Sequence, residues 1–301
     1  MSEPSAFFQG RFLPQSQAHL PWHDAGFVLG ATVTDLCRTF GQRLYRWDEH
    51  ACRFRASCNL ARIDPGLDDA QISRVAHELI GRNAPLLAPS QELCLVLFAT
   101  PGTIGYYLDE PGGAGDATPA FGMHTFPLPY ARYRPLIERG ADLVLPDVRC
   151  IPPSCIDPRI KQRSRLHWWL ADREAQAIRP GAQALLRDEQ GHVTETATAN
   201  FLAMKAGVVI SPPANTILGG VSLQVVRELC GRLGLRFEER PLTEPNCLAA
   251  EEAMLTSTPY CLAGVRGLNG KPMAFPGPIY QRLRDAWSAE MGTDIHAGFR
   301  S

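Results

Sequence analysis

The stretch DPRIKQRSRL at residues 157–166 contains a lysine, Lys161, among basic residues that are otherwise arginines. The whole chain has 30 lysines and arginines, and its lysines are Lys161, Lys205 and Lys271. A lysine becomes a nucleophile when burial or nearby positive charge disfavours its protonated form. Arg159, Arg163 and Arg165 would supply such charge. The spacing therefore indicates a lysine suited to Schiff-base chemistry, and the alternative is an ordinary solvated lysine in a basic stretch.

Three further segments carry groups that a Schiff base with pyridoxal phosphate requires. Glu195, which follows a tight turn in HVTETATANF, could keep a pyridine nitrogen protonated so that the ring draws electrons. The turn Gly219-Gly220-Val221-Ser222 opens a predicted helix, whose free N–H groups and dipole attract phosphate. Thr258 could add a hydroxyl donor and Arg53 a compensating charge. Each feature has a structural alternative, namely a solvent-facing glutamate, a common glycine turn or a salt-bridging arginine.

The composition is that of a globular protein and excludes several classes of function. A length of 301 residues predicts about two domains, and a hydrophobic content of 45% suffices for a sizeable core. The net charge of −1 gives no electrostatic case for nucleic acid or an anionic membrane surface. We find no apolar run of about 18 residues and no signal-peptide pattern. Nine scattered cysteines predict reduced thiols in a cytoplasmic protein, and the eight histidines lack metal-ligand spacing, so no metal is expected.

The order of strand and helix patterns predicts an α/β or α+β fold in two domains. The N-terminal domain is predicted over residues 1–125, and the larger C-terminal domain, which carries Lys161, over residues 136–301. Between them FPLPYARYRP, residues 126–135, contains three prolines and is predicted to be an interdomain loop. In the first domain, DDAQISRVAHELIGRN at residues 68–83 has the spacing of an amphipathic helix.

Three local predictions bear on how the site is positioned. Residues 25–39 are rich in apolar and β-branched residues, which predicts a strand. Residues 250–265, AEEAMLTSTPYCLAGV, predict one buried strand that ends in small hydroxyl residues. A helix begins after Lys161, and Trp169 is predicted to pack inward from it. The residues that recur on that side of the helix are Leu166, Trp169, Leu170, Arg173 and Ala177.

Together these motifs resemble the class IV pyridoxal-phosphate aminotransferases, the fold-type IV group of branched-chain aminotransferases, D-amino-acid aminotransferases and aminodeoxychorismate lyases. The matching motifs occur in the family's order: HDAGFVLGATV, HACRF, PRIKQRSRL, GHVTETATANFL, ILGGVSLQVV and AEEAMLTST. They extend from about Asp24 to about Gly270, and several motifs in order are more specific than any one of them. The resemblance implies two domains with pyridoxal 5′-phosphate between them, and a homodimer in which the partner subunit closes each active site.

The resemblance also implies roles for individual residues. Lys161 is implied to form the internal aldimine and then to move a proton between the substrate Cα and the cofactor C4′. Glu195 is implied to bind the pyridine nitrogen, and Leu218 to pack on one face of the ring. The implied phosphate ligands are Arg53, Thr258, the backbone N–H groups of Val221 and Ser222, and the Ser222 hydroxyl.

Several positions depart from the family pattern. Branched-chain enzymes carry a tyrosine shortly after the lysine, whereas this stretch has none, and its Arg165-Leu166 pair is closer to the lyases. Lyases place a hydroxyl residue where this chain has Leu36. D-amino-acid enzymes have an arginine after the first central strand, where this chain reads FATPGT, and Ser222 replaces the more usual threonine. The substrate class therefore stays open.

The leading hypothesis is an aminotransferase that moves an amino group between an amino acid or amine and a keto acid in two half-reactions. The alternatives are a lyase that releases pyruvate from an aminochorismate-type substrate, and a cofactor-binding protein with little turnover. No GxGxxG motif follows a strand, which argues against a dinucleotide-binding fold. Arg163 and Arg165 could bind a substrate carboxylate or promote the unprotonated form of Lys161. Further candidates for the substrate wall, with ordinary packing as the alternative, are Phe27, Tyr106, Tyr130, Trp168 and Trp169, and packing is preferred for Trp169.

Overall fold

Strands and helices alternate along the two stretches that the structure, a computed structural model, describes: residues 3–109 and 118–300. These elements cluster into two units. The first unit comprises residues 1–128 together with 160–164, and the second comprises 129–159 together with 165–301. Within the described ranges, no helix has the length and apolar character needed to cross a membrane.

A six-stranded antiparallel sheet is the framework of the first unit. Its order across the sheet is β2-β1-β6-β5-β3-β4. The strands are β1 (Ser5–Phe8), β2 (Arg11–Pro14), β3 (Val33–Phe40), β4 (Arg43–Leu44), β5 (Leu93–Thr100) and β6 (Ala120–Pro127). Because successive side chains of a strand point to opposite faces, the sheet presents two different surfaces.

One of these surfaces packs against helices. The helices of the first unit are α1 (Ala25–Val28), α2 (Trp47–Ala61) and α3 (Asp69–Asn83). The helix predicted over residues 68–83 is confirmed, since Asp68 and Gln71 form a reciprocal capping box at the start of α3. Ile72 of α3 and Phe54 of α2 share a core with odd-numbered residues of β3 and β5. The even-numbered residues of these two strands therefore line the other surface of the sheet.

A second, mixed sheet of nine strands forms the larger unit. Its order is β12-β11-β10-β13-β14-β7-β8-β9, with β15 paired to β14. Strand β9 also pairs with β10, so the sheet from β10 through β13, β14, β7 and β8 to β9 closes into a ring. The strands are β7 (Ala141–Val144), β8 (Gln183–Arg187), β9 (Val193–Thr196), β10 (Asn200–Lys205), β11 (Val208–Ser211), β12 (Arg236–Glu239), β13 (Glu252–Ser257), β14 (Cys261–Leu268) and β15 (Lys271–Pro272).

Helices of the second unit cover this sheet. They are α4 (Tyr130–Arg139), α5 (Leu166–Ile178), α6 (Val221–Arg232), α7 (Glu244–Leu248), α8 (Pro278–Met291) and α9 (Ala297–Arg300). Helix α6 buries the apolar stripe that includes Val225, Val226 and Leu229. Its N-terminus therefore has a fixed position in the unit, directly after the glycine turn.

The predicted domain boundaries need correction. Residues 126–135 are not a loop, because they contain the end of β6 and the first turns of α4, and the units divide between Leu128 and Pro129. Residues 160–164, with Lys161, belong to the first unit and not to the C-terminal one. Main-chain hydrogen bonds join this segment to β3 of the first unit, although its neighbours in sequence belong to the second unit. Local composition does not reveal such a pairing.

Three local predictions were also wrong in part. The strand predicted over residues 25–39 begins with helix α1, because Asp24 caps that helix by accepting from the Gly26 N–H. The single strand predicted over 250–265 is two strands, β13 and β14, which pair with each other. Trp169 does not pack inward, since it is 63% exposed. Helix α5 instead buries Ala171 and Ala175, whose small side chains let the helix approach the sheet closely.

Candidate active site

Main-chain hydrogen bonds hold Lys161 against strand β3 of the first unit. The Thr34 N–H donates to the Lys161 carbonyl over 2.9 Å, and the Arg163 N–H donates to the Thr32 carbonyl over 3.0 Å. The Lys161 N–H donates to Ser57 Oγ of α2 over 3.1 Å. The backbone of Lys161 is therefore held by β3 and α2, two elements of the same unit. The residue as a whole is half-buried.

Three charged or polar groups form a buried network beside this segment. Asp35 of β3 is fully buried and accepts two bonds from Arg53 of α2, from Nε to Oδ2 and from Nη2 to Oδ1, each 2.8 Å long. His50 Nδ1 lies 2.8 Å from Asp35 Oδ1 and donates to it. Burial alone would raise the pKa of Asp35, but the Arg53 charge and both partners' hydrogen bonds outweigh it and hold that pKa well below its ordinary value.

This network links Arg53 to the neighbourhood of Lys161. Burial lowers the pKa of His50, the bond to Asp35 opposes that shift, and the charges of Arg53 and Lys161 lower the pKa further. Arg53 was expected from the sequence to bind phosphate, whereas Asp35 and His50 were missed. The signal for Asp35 was present, since it is a carboxylate in a segment predicted to be a strand, VTDLCRTF.

The arginines around Lys161 do not act as one cationic cluster. Arg159 is exposed and bonded to Asp157, with Nη2 to Oδ2 at 2.6 Å, so its charge is compensated. Arg165 belongs to the second unit, where its guanidinium lies 6.0 Å from the Trp168 ring centroid. Arg163 belongs to the first unit with Lys161 and donates from Nη2 to Thr34 Oγ1 over 3.3 Å.

Glu195 of the second unit is held by hydrogen bonds from Asn200 and from the main chain at Leu218. Its Oε2 accepts from Asn200 Nδ2 over 2.9 Å, and its Oε1 accepts from the Leu218 N–H over 3.1 Å. Asn200 also donates to the Leu218 carbonyl over 2.8 Å. Hydrogen bonds therefore connect the Glu195 carboxylate, the Asn200 amide and the main chain at Leu218. Asn200, which the sequence did not single out, is the link between them.

The glycine turn that follows Leu218 leaves room above the start of α6. A Cβ at Gly219 would meet nothing within 4 Å, whereas a Cβ at Gly220 would collide with Asn200 Oδ1. No side chain caps α6, so its first N–H groups, at Val221 and Ser222, stay available to an anion. Substitution at Gly220 would displace the amide that holds Glu195.

Threonine hydroxyl groups lie next to Asn200 and Glu195, on the neighbouring strand β13 and just beyond its end. Thr256 of β13 lies opposite Asn200, which lies opposite Glu195, so the three side chains share one face. The buried Thr256 Oγ1 has no hydrogen-bond partner among the described residues. Thr258, predicted from the sequence, is two residues further along and half-buried. The carboxylate can accept from a pyridine nitrogen, and the open glycine turn, the uncapped helix and the unpartnered hydroxyl can donate to a phosphate. Together these groups fit pyridoxal phosphate.

The remaining candidates differ in their surroundings. Phe27 and Tyr106 are 73% and 75% exposed, and the Tyr106 ring packs edge-on against Tyr107 with centroids 5.0 Å apart. Tyr130 packs edge-on against Phe299 with ring centroids 4.9 Å apart, which favours the structural alternative. Trp168 is half-buried beside the core of α5 and β8. In the parts of the chain that the structure describes, no group of three or more metal-ligating side chains occurs.

Comparison with known proteins places these features in one family. The family model for "Amino-transferase class IV" matches residues 32–268. A D-alanine aminotransferase of Bacillus licheniformis is 27% identical over 286 residues, which cover 93% of this chain and 94% of that protein. The branched-chain amino acid aminotransferase of Escherichia coli has a TM-score of 0.85 at 20% identity, covering 97% of this chain and 95% of that one. The T.th. branched-chain enzyme, solved with pyridoxamine 5′-phosphate, has a TM-score of 0.82 at 19% identity, covering 100% and 97%.

Proposed function

The chain belongs to the class IV aminotransferases, and we propose that Lys161 is the residue through which it binds pyridoxal phosphate and moves protons. It has the fold-type IV architecture and is a pyridoxal-phosphate-dependent transaminase. The lyase alternative gains no support from these relatives. The single observation that supports the residue assignment best is the hydrogen-bonded unit of Glu195, Asn200 and Leu218 beside the open glycine turn.

Each proposed residue has a distinct task. When bound, pyridoxal phosphate supplies an aldehyde that accepts the amino group and a ring that draws electrons from the substrate Cα. Lys161 would hold the cofactor through its Nζ and, once released from it by the substrate's amino group, would act as the base that moves the proton from the substrate Cα. Glu195, held by Asn200 and the Leu218 N–H, would keep the pyridine nitrogen protonated. Leu218 would contact the ring.

The phosphate is held by groups from several elements. The N–H groups of Val221 and Ser222 at the start of α6 donate to it, and the Ser222 and Thr258 hydroxyls add further donors. Arg53 supplies positive charge, with its orientation set by Asp35. Thr256, whose buried hydroxyl lacks a partner among the described residues, belongs to the same donor set.

Replacing Glu195 with glutamine tests this assignment. We expect the cofactor to stay bound, because the amide can still accept from the Leu218 N–H. The half-reaction should slow by about 100-fold or more, because a neutral amide cannot keep the pyridine nitrogen protonated. The measurement is the rate at which an amino acid converts the visible band to the pyridoxamine form. Glu189→Gln, in the exposed turn of the same hairpin, is the control and should not change the rate. An unchanged rate in Glu195→Gln would sink the assignment.

The relatives compared above are D-alanine and branched-chain amino acid aminotransferases. We infer that the amino donors are D-alanine-like or branched-chain α-amino acids, with a keto acid as acceptor. A half-reaction panel of L- and D-amino acids and simple amines tests this inference. Conversion to the pyridoxamine form with amines that lack a carboxylate, and with no amino acid, would contradict this inference.

We further propose a cytoplasmic homodimer. Both units expose large apolar side chains, among them Phe27 and Tyr106 in the first and Leu166 and Trp169 in the second. A dimer would cover such surface, and sedimentation equilibrium should give the mass of two chains. A monomer at micromolar concentration would overturn this proposal. All nine cysteines are free, which supports a reducing compartment, and fractionation of cells that produce the chain tests the location.

A further inference from the structure

The face of the first sheet that lies opposite α2 and α3 carries polar groups near Lys161. Val33 of β3 and Met123 of β6 belong to the core under the helices, so their sequence neighbours Thr34 and His124 point to the other face. Gln162 pairs with Val33 in an antiparallel bridge. Its two neighbours, Lys161 and Arg163, therefore share the face of Thr34, with Cα atoms about 7 Å apart.

Arg163 has a fixed guanidinium on this face without an acidic partner among the described residues. The Thr34 hydroxyl donates its proton to the Leu97 carbonyl over 2.9 Å, so its oxygen accepts from Arg163 Nη2. No carboxylate pairs with Arg163 in the described stretches of the chain. Arg163 is exposed, so its guanidinium is accessible from solvent. An accessible cation that forms no ion pair within the described residues is available to bind an anion.

His124 lies on the same face, with its ring 6.3 Å from the Phe126 ring between centroids. Burial lowers the pKa of His124 and the Arg163 charge lowers it further, while a hydrogen bond with the Thr125 backbone opposes both. His124 Nδ1 is buried and has no hydrogen-bond partner in the described ranges. A proton on Nδ1 would lack an acceptor, so the neutral ring carries its proton on Nε2 and can donate it there.

We propose that Arg163 and His124 bind a carboxylate of the amino-acid substrate, with Thr34 as a positioning residue for Arg163. This inference rests on the proposed function, since it names the group by which that site recognises its substrate. Arg163 lies on the same strand face as Lys161, within the length of a small amino acid. The carboxylate is either the one on the substrate Cα or one at the end of its side chain.

Kinetics of Arg163→Gln test the proposal. We expect KM for amino acids to rise about 10- to 100-fold, as for loss of a charge-assisted hydrogen bond, with kcat changed less. KM for amines without a carboxylate should stay the same, and Arg163→Lys should recover part of the loss. Arg159→Gln, exposed and paired with Asp157, is the control and should match wild type. A rise confined to aspartate and glutamate assigns a side-chain carboxylate, and a rise for every amino acid assigns the Cα carboxylate.

A binding measurement separates this inference from the proposed function. Pentanoate, a carboxylate that cannot react, should raise the pKa of His124 in the full-length protein, because bound negative charge favours the imidazolium. That shift should vanish in Arg163→Gln and persist in Arg159→Gln, as followed by NMR titration. If pentanoate leaves the His124 pKa unchanged, or if Arg163→Gln raises KM equally for amines, the carboxylate subsite is wrong. A wild-type protein that shifts with pentanoate but converts no amino acid would overturn the proposed function alone.

Discussion

Replacing Lys161 with alanine should abolish the visible band of the cofactor-loaded protein and slow transamination by about 1,000-fold or more. In the proposed assignment, the variant lacks the amine that would bond to the cofactor and would move the proton at the substrate Cα. Exchange of the substrate α-proton with solvent should stop as well. Absorbance spectroscopy, the half-reaction rate and NMR detection of exchange provide three independent readings.

Lys205→Ala is the matched control, because Lys205 is an exposed lysine at the end of β10. It should keep the band, the rate and the exchange. Folding of Lys161→Ala can be checked by its thermal unfolding, and its hydrogen bonds to Thr34 and Ser57 use the backbone, which the substitution leaves in place. If Lys161→Ala keeps the visible band, a lysine other than Lys161 binds the cofactor.

The features that could be predicted from the sequence depend on contiguous residues. Helix α3 follows from an apolar stripe with a capping residue at its start, and helix α6 follows from its glycine turn and apolar stripe. Glu195 could be singled out because it is a carboxylate just past a tight turn, where it could bind a pyridine nitrogen. Each of these signals lies within one short contiguous stretch of chain, which is the range over which periodicity and capping act.

The features that could not be predicted depend on contacts distant in sequence. Lys161 bonds to β3, which lies more than a hundred residues earlier in the chain. The residues next to Lys161 in sequence therefore did not indicate that it belongs to the first unit. The role of Asn200 can be recognised only from the pairing of β9 with β10, which places Asn200 beside Glu195. The apolar side of α5 was a reasonable core prediction, but the alanines pack tightly enough to leave Trp169 outside. Periodicity identifies a face, and the partner of that face decides its burial.

The buried ion pair of Asp35 and Arg53 carries the largest stability prediction. Asp35→Asn should lower the free energy of unfolding by roughly 3–5 kcal/mol, because it leaves the Arg53 charge without its buried counterion. The same change should weaken binding of pyridoxal phosphate, since Arg53 loses the bidentate contact that orients it. Chemical denaturation measures the first effect, and titration of the apoprotein with cofactor measures the second. Asp69→Asn breaks the exposed pair between Asp69 and Arg55 and should cost under about 1 kcal/mol.

The pH dependence of unfolding gives this prediction a second test. Because the folded protein holds the pKa of Asp35 below its ordinary value, the pair's stabilisation is fully present above the unfolded carboxyl value of about 3.9. It is lost as the pH falls below that value toward the lower folded one. Wild type should therefore lose its advantage over Asp35→Asn in acid, and the two unfolding curves should converge as the pH falls. Curves that stay parallel from neutral pH into acid would show that the substitution acts through packing, and that the charge of Asp35 does not stabilise Arg53.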